Sequence, residues 1–527
     1  MSFLDHLFHQ LEHHPDRAAI DVVRGSDIHR TDGRALLTEI ARARAHLAEA
    51  GVRPGDRVAL LAANGPRWVA ADLAALALGA VAVPLYDQQA PAELVRILRD
   101  AQPALLVAGT DALADAIRTA WPDGVAIVTF DALFAGPSAA TSPPAPRADD
   151  DPVAIVYTSG TSGEPKGVIL TAGGFGFTIP RTIDRLEAAV PALPDEPADA
   201  PDRVYHFLPL CFAASRMMLW TQLSRPNPIV LSSDPRDLAR ELGTVRPHYF
   251  LTVPMILERI RAGVDAKVRA RGAAVTALYA RGLAAAAGTR RRDRWVARLA
   301  DRLVFRGIRQ AIGPALRLLI SGSAPLAEDT QRWFAAIGLP VLQAYGLTET
   351  TGIVTLDVPG RVVPGKVGIA LPGVETRLTD AGELAVRGPN LFAGYWRRPA
   401  DTAAVVRDGW FHTGDLVEID ADGNHKIVGR SKNLIVPQSG HNIAPEPLEE
   451  RFLAACAASG NPVSHCLVVG HARPYVAVVV PPGADGARPD PARVDQILAP
   501  LDAELPRYRR IKRAIFVDEP FTAVLDS

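Results

Sequence analysis

The chain has 527 residues, of which 48% are hydrophobic and 22% charged, so it is globular and too long for a single core. Its 57 basic and 58 acidic residues balance, which argues against nucleic acid as a partner and requires any anion site to be local. Its three cysteines form no Cys-x-x-Cys pair, which argues against a disulfide framework and a cysteine zinc site. With neither a signal-peptide core nor an apolar run near the ~20 residues of a membrane span, we predict a cytoplasmic protein.

The first third of the chain shows the alternation that is typical of α/β proteins. Residues 56–84 read as a short apolar strand, a helix and a second apolar strand, which predicts parallel sheets with covering helices. The segments 136–152 and 192–202 are rich in proline and acidic residues and predict surface loops.

The most informative stretch is 157–167, which reads Tyr-Thr-Ser-Gly-Thr-Ser-Gly-Glu-Pro-Lys-Gly directly after an apolar strand. Its three glycines, Gly167 among them, are expected at positive φ with their N–H groups turned inward, while the hydroxyls add donors and Lys166 adds charge. This predicts a polyphosphate cradle of a type other than the Walker pattern, with a mobile surface loop as the alternative. The candidate phosphate-binding residues are Thr158, Ser159, Gly160, Thr161, Ser162, Gly163 and Lys166.

The region 262–313 is predicted to be helical and carries eight arginines between Arg290 and Arg309. Apolar residues at helical spacing on the other face are predicted to pack on the core, and they are Val296, Leu299, Leu303 and Ile312. An alternative is that the basic amphipathic face contacts an anionic membrane, into which an acyl substrate would partition.

Two motifs follow in which an apolar strand breaks into a polar turn. The first turn consists of the small residues Gly322, Ser323, Ala324 and Pro325. A flat ring such as adenine can lie against such a backbone, although an ordinary βα loop looks the same. In the second motif Tyr345 can stack on a purine, Thr348 can donate to a phosphate and Glu349 offers a hard oxygen to Mg²⁺. A Thr-Glu pair by itself is more often a helix cap.

Two further polar motifs lie in the last quarter of the chain. The stretch 408–416 includes Asp415, whose carboxylate can accept both hydroxyls of a ribose, although an isolated Gly-Asp is usually a turn. The stretch 429–433 contains Arg430, which offers a planar donor fork to ribose or phosphate. The surface loop beyond Arg430 is predicted to mark a domain boundary.

In order and approximate spacing these motifs resemble those of the adenylate-forming superfamily, which includes acyl-CoA synthetases, luciferases and peptide-synthetase adenylation domains. The resemblance covers essentially the whole chain. It implies an α/β fold with a large N-terminal part over 1–430, built from two α/β sheets and a distorted β-barrel. A small mobile α+β domain is implied over 431–527.

The same resemblance implies ATP, Mg²⁺ and coenzyme A as ligands. The loop from Thr158 to Lys166 is implied to hold the β- and γ-phosphates. Adenine is assigned to Gly322, Ser323, Ala324, Pro325 and Tyr345, and Gly346 and Thr348 are also counted among the nucleotide-binding residues. Glu349 is implied to bind Mg²⁺, Asp415 the ribose, and Arg430 the ribose and phosphate. The implied catalytic set is Lys166, Thr348, Glu349, Arg430 and Lys432, with Lys432 at the hinge of the C-terminal domain. Ser439, Gly440 and His441 match the loop that serves thioester formation.

Within the superfamily the chain is most similar to long-chain acyl-CoA synthetases. The likeness rests on the arginine-rich insertion, on the run 338–341 and on Gly394-Tyr395-Trp396. Residues 208–216 match the stretch where many relatives place a histidine, and Phe212 stands at that position. Phe212 and Arg216 are therefore the candidate acid-binding residues, and an apolar acyl tunnel is compatible with the phenylalanine.

The implied activity is ATP-dependent conversion of a carboxylic acid, expected to be a medium- or long-chain fatty acid, into acyl-AMP and then acyl-CoA. Alternatives are an acyl-AMP ligase that loads a carrier protein, a nucleotide- or acyl-binding module with impaired catalysis, and a luciferase-type oxygenation. Relatives carry a catalytic lysine in a terminal loop, whereas the last lysine here is Lys512. We therefore expect a truncated form of an otherwise ordinary enzyme, and the alternatives are adenylation that is slow or that uses another cation. Oligomeric state stays open.

Overall fold

The computed structural model describes residues 2–137, 142–159, 164–190, 201–232, 234–286, 291–438, 441, 443–461, 463, 465–483, 488–503, 505–519 and 521. The helices within these ranges are α1 (Phe3–His13), α2 (Gly33–Glu49), α3 (Pro66–Ala77), α4 (Pro91–Ala101), α5 (Asp111–Ala120), α6 (Phe130–Leu133), α7 (Ala172–Ala189), α8 (Ala213–Leu223), α9 (Leu238–Val245), α10 (Pro254–Ala270), α11 (Ala273–Ala286), α12 (Arg291–Ala300), α13 (Arg306–Ile312), α14 (Glu328–Ala336), α15 (Pro399–Val405), α16 (Glu446–Ala458) and α17 (Pro491–Ala503).

The strands within the same ranges are β1 (Ala18–Arg24), β2 (Asp27–Asp32), β3 (Arg57–Leu61), β4 (Val81–Leu85), β5 (Leu105–Ala108), β6 (Ile127–Thr129), β7 (Pro152–Ser159), β8 (Pro165–Thr171), β9 (Val204–His206), β10 (Ile229–Ser232), β11 (Tyr249–Thr252), β12 (Leu319–Ser321), β13 (Val341–Tyr345), β14 (Thr355–Leu356), β15 (Ile369–Ala370), β16 (Glu375–Leu378), β17 (Glu383–Arg387), β18 (Gly394–Tyr395), β19 (Val406–Arg407), β20 (Trp410–Ile419), β21 (His425–Arg430), β22 (Leu467–Val469), β23 (Val476–Val480) and β24 (Ile511–Phe516).

The chain divides into two compact units. The first comprises residues up to 375 together with 387–404, and the second comprises 376–386 together with the residues from 405 onward. The boundary predicted after residue 430 is that of a C-terminal domain that swings relative to the rest of the chain. That boundary stays a prediction.

A seven-stranded sheet in the first unit has the order β18-β8-β7-β4-β3-β5-β6. Its β3, α3 and β4 are the strand, helix and strand that the sequence predicts over 56–84, and Val58 lies opposite Ala82 in the parallel pairing. The strand β4 reads Val-Ala-Val-Pro-Leu and every residue in it is buried. Such a continuous apolar run suits a parallel strand whose two faces are both covered.

A nine-stranded sheet in the same unit has the order β15-β14-β13-β12-β11-β9-β10-β1-β2. The strands β11, β12 and β13 run parallel, so their carboxyl ends meet at one edge. Ligands of open α/β sheets bind outside this edge. The two motifs that the sequence predicts for adenine follow β12 and end β13, and they are therefore neighbours.

The second unit contains two smaller sheets. One has the order β16-β17-β20-β19 with β21 paired to β20, and the other has the order β22-β23-β24. The helices α16 and α17 share a core with the three-stranded sheet, in which Phe452, Val478 and Val494 are fully buried. Several sheets in a mixed α/β arrangement confirm the predicted fold class.

The arginine-rich region is helical, as predicted, but its buried face differs from the prediction. A π-helical segment, Asp301–Phe305, separates α12 from α13. At about 100° per residue, Leu303 lies on the opposite side of an α-helix from Ile312, so the predicted residues do not share one face. Leu299 and Leu303 are exposed, so their predicted packing on the core is wrong, whereas Ile312 is buried. Ala300, Val304 and Phe305 enter the core instead. None of the helices within the described ranges has the length and apolar content that crossing a bilayer requires.

Candidate active site

The predicted phosphate loop belongs to an antiparallel hairpin of β7 and β8. Thr158 pairs with Lys166 and Ser159 with Pro165, so both ends of the motif are strand where the sequence predicts loop. The residues Gly160, Thr161, Ser162 and Gly163 lie outside the described part of the chain. The hairpin places Thr158 and Lys166 opposite each other at the base of the turn.

Gly167 has a packing role rather than the predicted positive φ. Its φ is not positive, and it lies within β8 opposite Tyr157. A Cβ at this position would lie 2.6 Å from Cγ2 of Ile155 and 3.0 Å from Cζ of Tyr157. A side chain here would therefore push the two strands of the hairpin apart, which corrects the expectation of a positive φ at all three glycines.

Lys166 is held at the base of the hairpin by an acidic and an aromatic partner. Its Nζ lies 3.2 Å from Oδ2 of Asp401 and 5.3 Å from the centroid of the Tyr395 ring. Tyr395 reaches this place because β18 pairs with β8, with Tyr395 opposite Val168. The ammonium group is thus mostly buried and oriented before any anion binds.

The same tyrosine orients Glu349. The Tyr395 hydroxyl donates a hydrogen bond to Oε1 of Glu349 at 2.8 Å, and the backbone N–H of Phe392 donates to the Glu349 carbonyl at 2.8 Å. Burial and the neighbouring Glu349 carboxylate raise the pKa of the Tyr395 phenol, so it remains a donor at all physiological pH values. Tyr395 therefore contacts both the predicted phosphate-binding lysine and the predicted metal ligand.

Glu349 suits a magnesium ion that is shared with a nucleotide. The half-buried carboxylate sits in the 3-10 turn Thr348–Thr350 and offers anionic oxygen, which Mg²⁺ prefers. Within the described ranges no group of three or more His, Cys, Asp or Glu side chains surrounds a common point. The ion that fits such a site is one that takes a single carboxylate and completes its shell with phosphates and water.

The two motifs that are predicted to bind adenine lie side by side. A Cβ on Gly322 would approach the carbonyl oxygen of Ala344 to 3.2 Å, so the glycine lets the turn after β12 approach the end of β13. Ser323 has a φ of 70°, and the turn from Ser323 to Pro325 is exposed. A Cβ on Gly346 would come within 2.4 Å of the carbonyl oxygen of Gly352, so only glycine fits after Tyr345. The exposed turn from Ser323 to Pro325 and the adjacent end of β13 at Tyr345 thus form a continuous backbone surface, which we call the shelf.

A buried polar network fixes β13 beneath this shelf. The Asp357 carboxylate accepts hydrogen bonds from the backbone N–H of Gln343 at 2.8 Å and from Nε2 of Gln331 at 3.3 Å. Nε2 of Gln343 donates in turn to Oε1 of Gln331 at 2.9 Å. Burial raises the pKa of Asp357 to about 7, an effect that the two donors and the Arg185 charge only partly oppose.

We expect the Asp357→Asn variant to remove part of the pH dependence of stability. The pKa of Asp357 is 3.8 when unfolded and about 7 when folded, so the folded state retains a proton that the unfolded state loses. Stability from this group is complete below the unfolded pKa and is lost as pH rises to about 7, at up to ~1.4 kcal/mol per pH unit. The variant should gain stability relative to wild type at pH 8 and not at acidic pH, as measured by urea midpoints. The exposed Asp123→Asn change is the control, and an unchanged pH profile in Asp357→Asn would contradict the assignment.

The second unit brings together Asp415 and Arg430. They are cross-strand partners in β20 and β21, and Nε of Arg430 lies 2.8 Å from Oδ1 of Asp415. Asp415 is buried whereas Arg430 is partly exposed. Lys432 follows in the exposed turn Ser431–Asn433, and desolvation and the Arg430 charge lower its pKa. The ribose, phosphate and hinge roles of these residues stay predictions.

Of the three residues predicted for coenzyme A, the structure describes His441. Ser439 and Gly440 lie outside the described residues, and His441 is exposed just before an isolated bridge between Ile435 and Ile443. Their role stays a prediction.

The two predicted acid-binding residues lie in very different surroundings. Phe212 precedes α8, is about half exposed, and its ring centroid lies 5.8 Å from that of Tyr86. Arg216 is fully buried, and its Nη2 lies 2.8 Å from Oδ1 of Asp72, which is also fully buried. Phe212 therefore presents an apolar surface to a ligand, whereas Arg216 already has an anionic partner within the protein.

Sequence reasoning missed the function of Tyr395 and Asp401. The stretch Gly394-Tyr395-Trp396 served only as a mark of resemblance, because nothing local connects it to a lysine 229 positions earlier. The pairing of β18 with β8 is what brings the two together. The signal in the sequence is Gly394, whose φ of 134° few other residues adopt.

Comparisons with known proteins identify the family of the chain. A family model described as AMP-binding enzyme matches residues 7–396. The long-chain-fatty-acid–CoA ligase FadD15 of Mycobacterium bovis is 31% identical over 466 residues, which cover 84% of this chain and 75% of FadD15. A feruloyl-CoA synthase of Amycolatopsis is 31% identical over 506 residues, which cover 92% and 89% of the two chains.

Similarity extends to solved structures. The crystal structure of ATP-bound MatB from Rhodopseudomonas palustris superimposes with a TM-score of 0.76 and 28% identity, over 98% of this chain and 95% of MatB. A family match over well more than half of the chain, together with these relatives, settles the assignment. The chain belongs to the AMP-binding enzyme family and is an adenylate-forming acid–CoA ligase.

Proposed function

We propose that the protein activates a medium- or long-chain fatty acid with ATP, releases pyrophosphate, and transfers the acyl group from AMP to coenzyme A. The observation that carries the first step is the contact of Tyr395 with both Lys166 and Glu349. Tyr395 thereby orients both the Lys166 ammonium and the Glu349 carboxylate. The ammonium suits the negative charge of a polyphosphate, and the carboxylate suits the Mg²⁺ ion that accompanies it.

The chemistry follows from the charge that the reaction develops. A carboxylate is a poor electrophile, so its oxygen attacks the α-phosphorus of ATP and expels pyrophosphate, which leaves a mixed anhydride. Lys166 stabilises the negative charge on the departing phosphates without acting as a nucleophile. A Mg²⁺ ion bound at Glu349 would neutralise phosphate charge. In the second step the thiol of coenzyme A adds to the acyl carbonyl and AMP leaves.

The identity of the carboxylic acid is the more specific part of the proposal. Support for a fatty acid comes from the name of FadD15 and from the apolar surface of Phe212 beside Tyr86. A second candidate is an aromatic acid, because the feruloyl-CoA synthase matches a larger share of both chains and the Phe212–Tyr86 ring pair can stack on an aromatic ring. The two candidate substrates differ only in the shape of the group that is attached to the carboxylate.

Pyrophosphate release over a panel of acids tests both candidates. The panel contains saturated fatty acids of rising chain length, ferulate and malonate, with ATP and Mg²⁺ and without coenzyme A. We expect kcat/KM to rise with chain length and to exceed the value for ferulate. A higher value for ferulate would replace the fatty acid by the aromatic acid, and absence of release with every acid would contradict adenylation.

A second measurement concerns the acceptor. Coenzyme A and a carrier protein bearing phosphopantetheine are offered separately to the enzyme with the best acid. We expect thioester formation with coenzyme A, since the identified relatives are named as CoA ligases or CoA synthases. Transfer to the carrier protein alone would identify an acyl-AMP ligase instead.

A further inference from the structure

A stripe of large apolar side chains lies exposed along α12 and the π-helical segment that follows it. Trp295, Leu299 and Leu303 are 69%, 48% and 60% exposed. Their spacing of four residues places them one above the other on the same face of the helix. Three neighbouring exposed side chains of this size form a patch, unlike the isolated apolar residues that are normal on a protein surface.

The opposite face of the same segment is firmly anchored. Ala300, Val304 and Phe305 are buried in the core of the first unit. A Cβ on Gly282 of α11 would lie 2.3 Å from Cβ of Ala300, so α11 and α12 are in backbone-level contact. The Phe305 ring packs edge-on against Tyr279 with centroids 6.2 Å apart. Because the opposite face of the segment is packed in the core, the helix cannot rotate to bury the side chains of the stripe.

Exposed arginines run beside the stripe. Arg294, Arg298 and Arg302 each precede one of its apolar residues, and Arg306 extends the row. The stretch 291–309 contains seven arginines and two aspartates, whereas the whole chain has a formal net charge of −1. Oδ1 of one of these aspartates, Asp301, lies 2.6 Å from Nη1 of Arg309. The positive charge is therefore concentrated on this segment.

We propose that this face, defined by Trp295, Leu299, Leu303 and the four arginines beside them, docks on an anionic lipid surface. Tryptophan and leucine suit insertion at the boundary between headgroups and acyl chains, and arginines suit the phosphates above it. A second copy of the chain is a poor occupant, because a symmetric contact would bring the two arginine rows together. Three apolar side chains are also few for a stable protein interface, which buries at least about 1,000 Å².

Cosedimentation with vesicles tests this docking. One set of vesicles contains phosphatidylcholine alone, and the other contains phosphatidylcholine with phosphatidylglycerol, each at low and high salt. We expect binding only to the anionic vesicles and loss of binding at high salt. The Arg294→Gln, Arg298→Gln and Arg302→Gln changes should each weaken partitioning about fivefold. The triple variant Trp295→Ser, Leu299→Ser, Leu303→Ser should weaken it more than ~tenfold.

A matched control removes an exposed apolar residue and an exposed arginine elsewhere in the same unit, by Ile28→Ser with Arg34→Gln, and should bind as wild type does. Circular dichroism and pyrophosphate release from ATP in the presence of a short water-soluble acid verify that each variant is folded, since none of the substituted residues is among those predicted for the adenylation site. Equal partitioning of wild type and both sets of variants would overturn the proposal. A dimer in analytical ultracentrifugation that the triple variant abolishes would overturn it in favour of contact between copies.

Discussion

The Arg216→Met variant is expected to lose about 3–5 kcal/mol of unfolding free energy, because it leaves the Asp72 carboxylate buried without its partner. Asp72 on α3 and Arg216 on α8 have no exposed side-chain surface. Burial raises the pKa of Asp72 and Arg216 opposes this rise, so the pKa will climb further in the variant. Because a raised carboxyl pKa removes stability as pH increases, the loss should be larger at pH 8 than at pH 5.

Urea unfolding followed by tryptophan fluorescence measures this loss. The guanidinium carbon of Arg216 lies 4.6 Å from the ring centroid of Trp220 and 5.6 Å from that of Trp68, so the signal reports the region directly. The double variant Arg216→Met, Asp72→Leu should recover most of the stability, since replacing both ions of a buried pair by apolar groups is often neutral. Apart from the two atoms that meet at 2.8 Å, Oδ2 of Asp72 and Nε and Nη1 of Arg216 have no hydrogen-bond partner among the described residues, which favours that recovery.

The exposed pair of Arg34 and Asp16, at 2.9 Å, supplies the comparison. Arg34→Met removes a salt bridge that water screens, and it should leave stability almost unchanged. An equally small effect of Arg216→Met would show that Asp72 is protonated in the wild-type protein and that the pair is not ionic.

The Glu349→Gln variant is expected to lose ~10²–10³ in kcat for pyrophosphate release, because the amide cannot supply a negative charge to the metal. The substitution keeps the shape of the side chain, and its amide oxygen can still accept the hydrogen bond from Tyr395. Stopped-flow measurement of pyrophosphate at varied Mg²⁺ should show a higher half-saturating concentration. Wild-type activity with an unchanged half-saturating Mg²⁺ concentration would show that Glu349 does not bind the metal.

The Tyr395→Phe variant is the companion that separates orientation from ligation. It keeps the ring beneath Lys166 and deletes the hydroxyl that donates to Glu349 at 2.8 Å. A hydrogen bond to a charged group contributes roughly 1.5–3 kcal/mol, so a loss of at least about tenfold is expected, smaller than that of Glu349→Gln. The double variant Tyr395→Phe, Glu349→Gln completes the test. If its fold-changes in kcat and in half-saturating Mg²⁺ concentration equal the product of those of the single variants, Tyr395 does not act through Glu349.

Much of the fold follows from local patterns in the sequence. The buried strand β4 reads as an unbroken apolar run, and β3, α3 and β4 appear where the alternation predicts them. The close approach of the turn after β12 to the end of β13 can be predicted because small residues such as Gly322 are required where two backbones approach, and that requirement is visible in the residue type. The binding of adenine there stays a prediction.

What the sequence could not supply is contact between distant segments. The orientation of Lys166 depends on Asp401 and Tyr395, which lie more than 220 residues away and have no periodic relation to it. The inward face of the arginine-rich helices was mispredicted for a different reason. At about 100° per residue, Leu303 lies on the opposite side of an α-helix from the buried Ile312, so the apolar residues chosen from the sequence do not share one face.

The pairing of β18 with β8 also has a consequence for synthesis of the protein. The hairpin that carries Lys166 can form early, but its edge stays unpaired until Gly394 and Tyr395 have been made. At ~5–20 residues per second, the ribosome needs about 11–45 s to cover the distance between the two strands. During that time the hairpin presents an open strand edge to the crowded nascent-chain environment, where such edges template aggregation. The contacts that orient Lys166 are therefore among the last of the first unit to form on the ribosome.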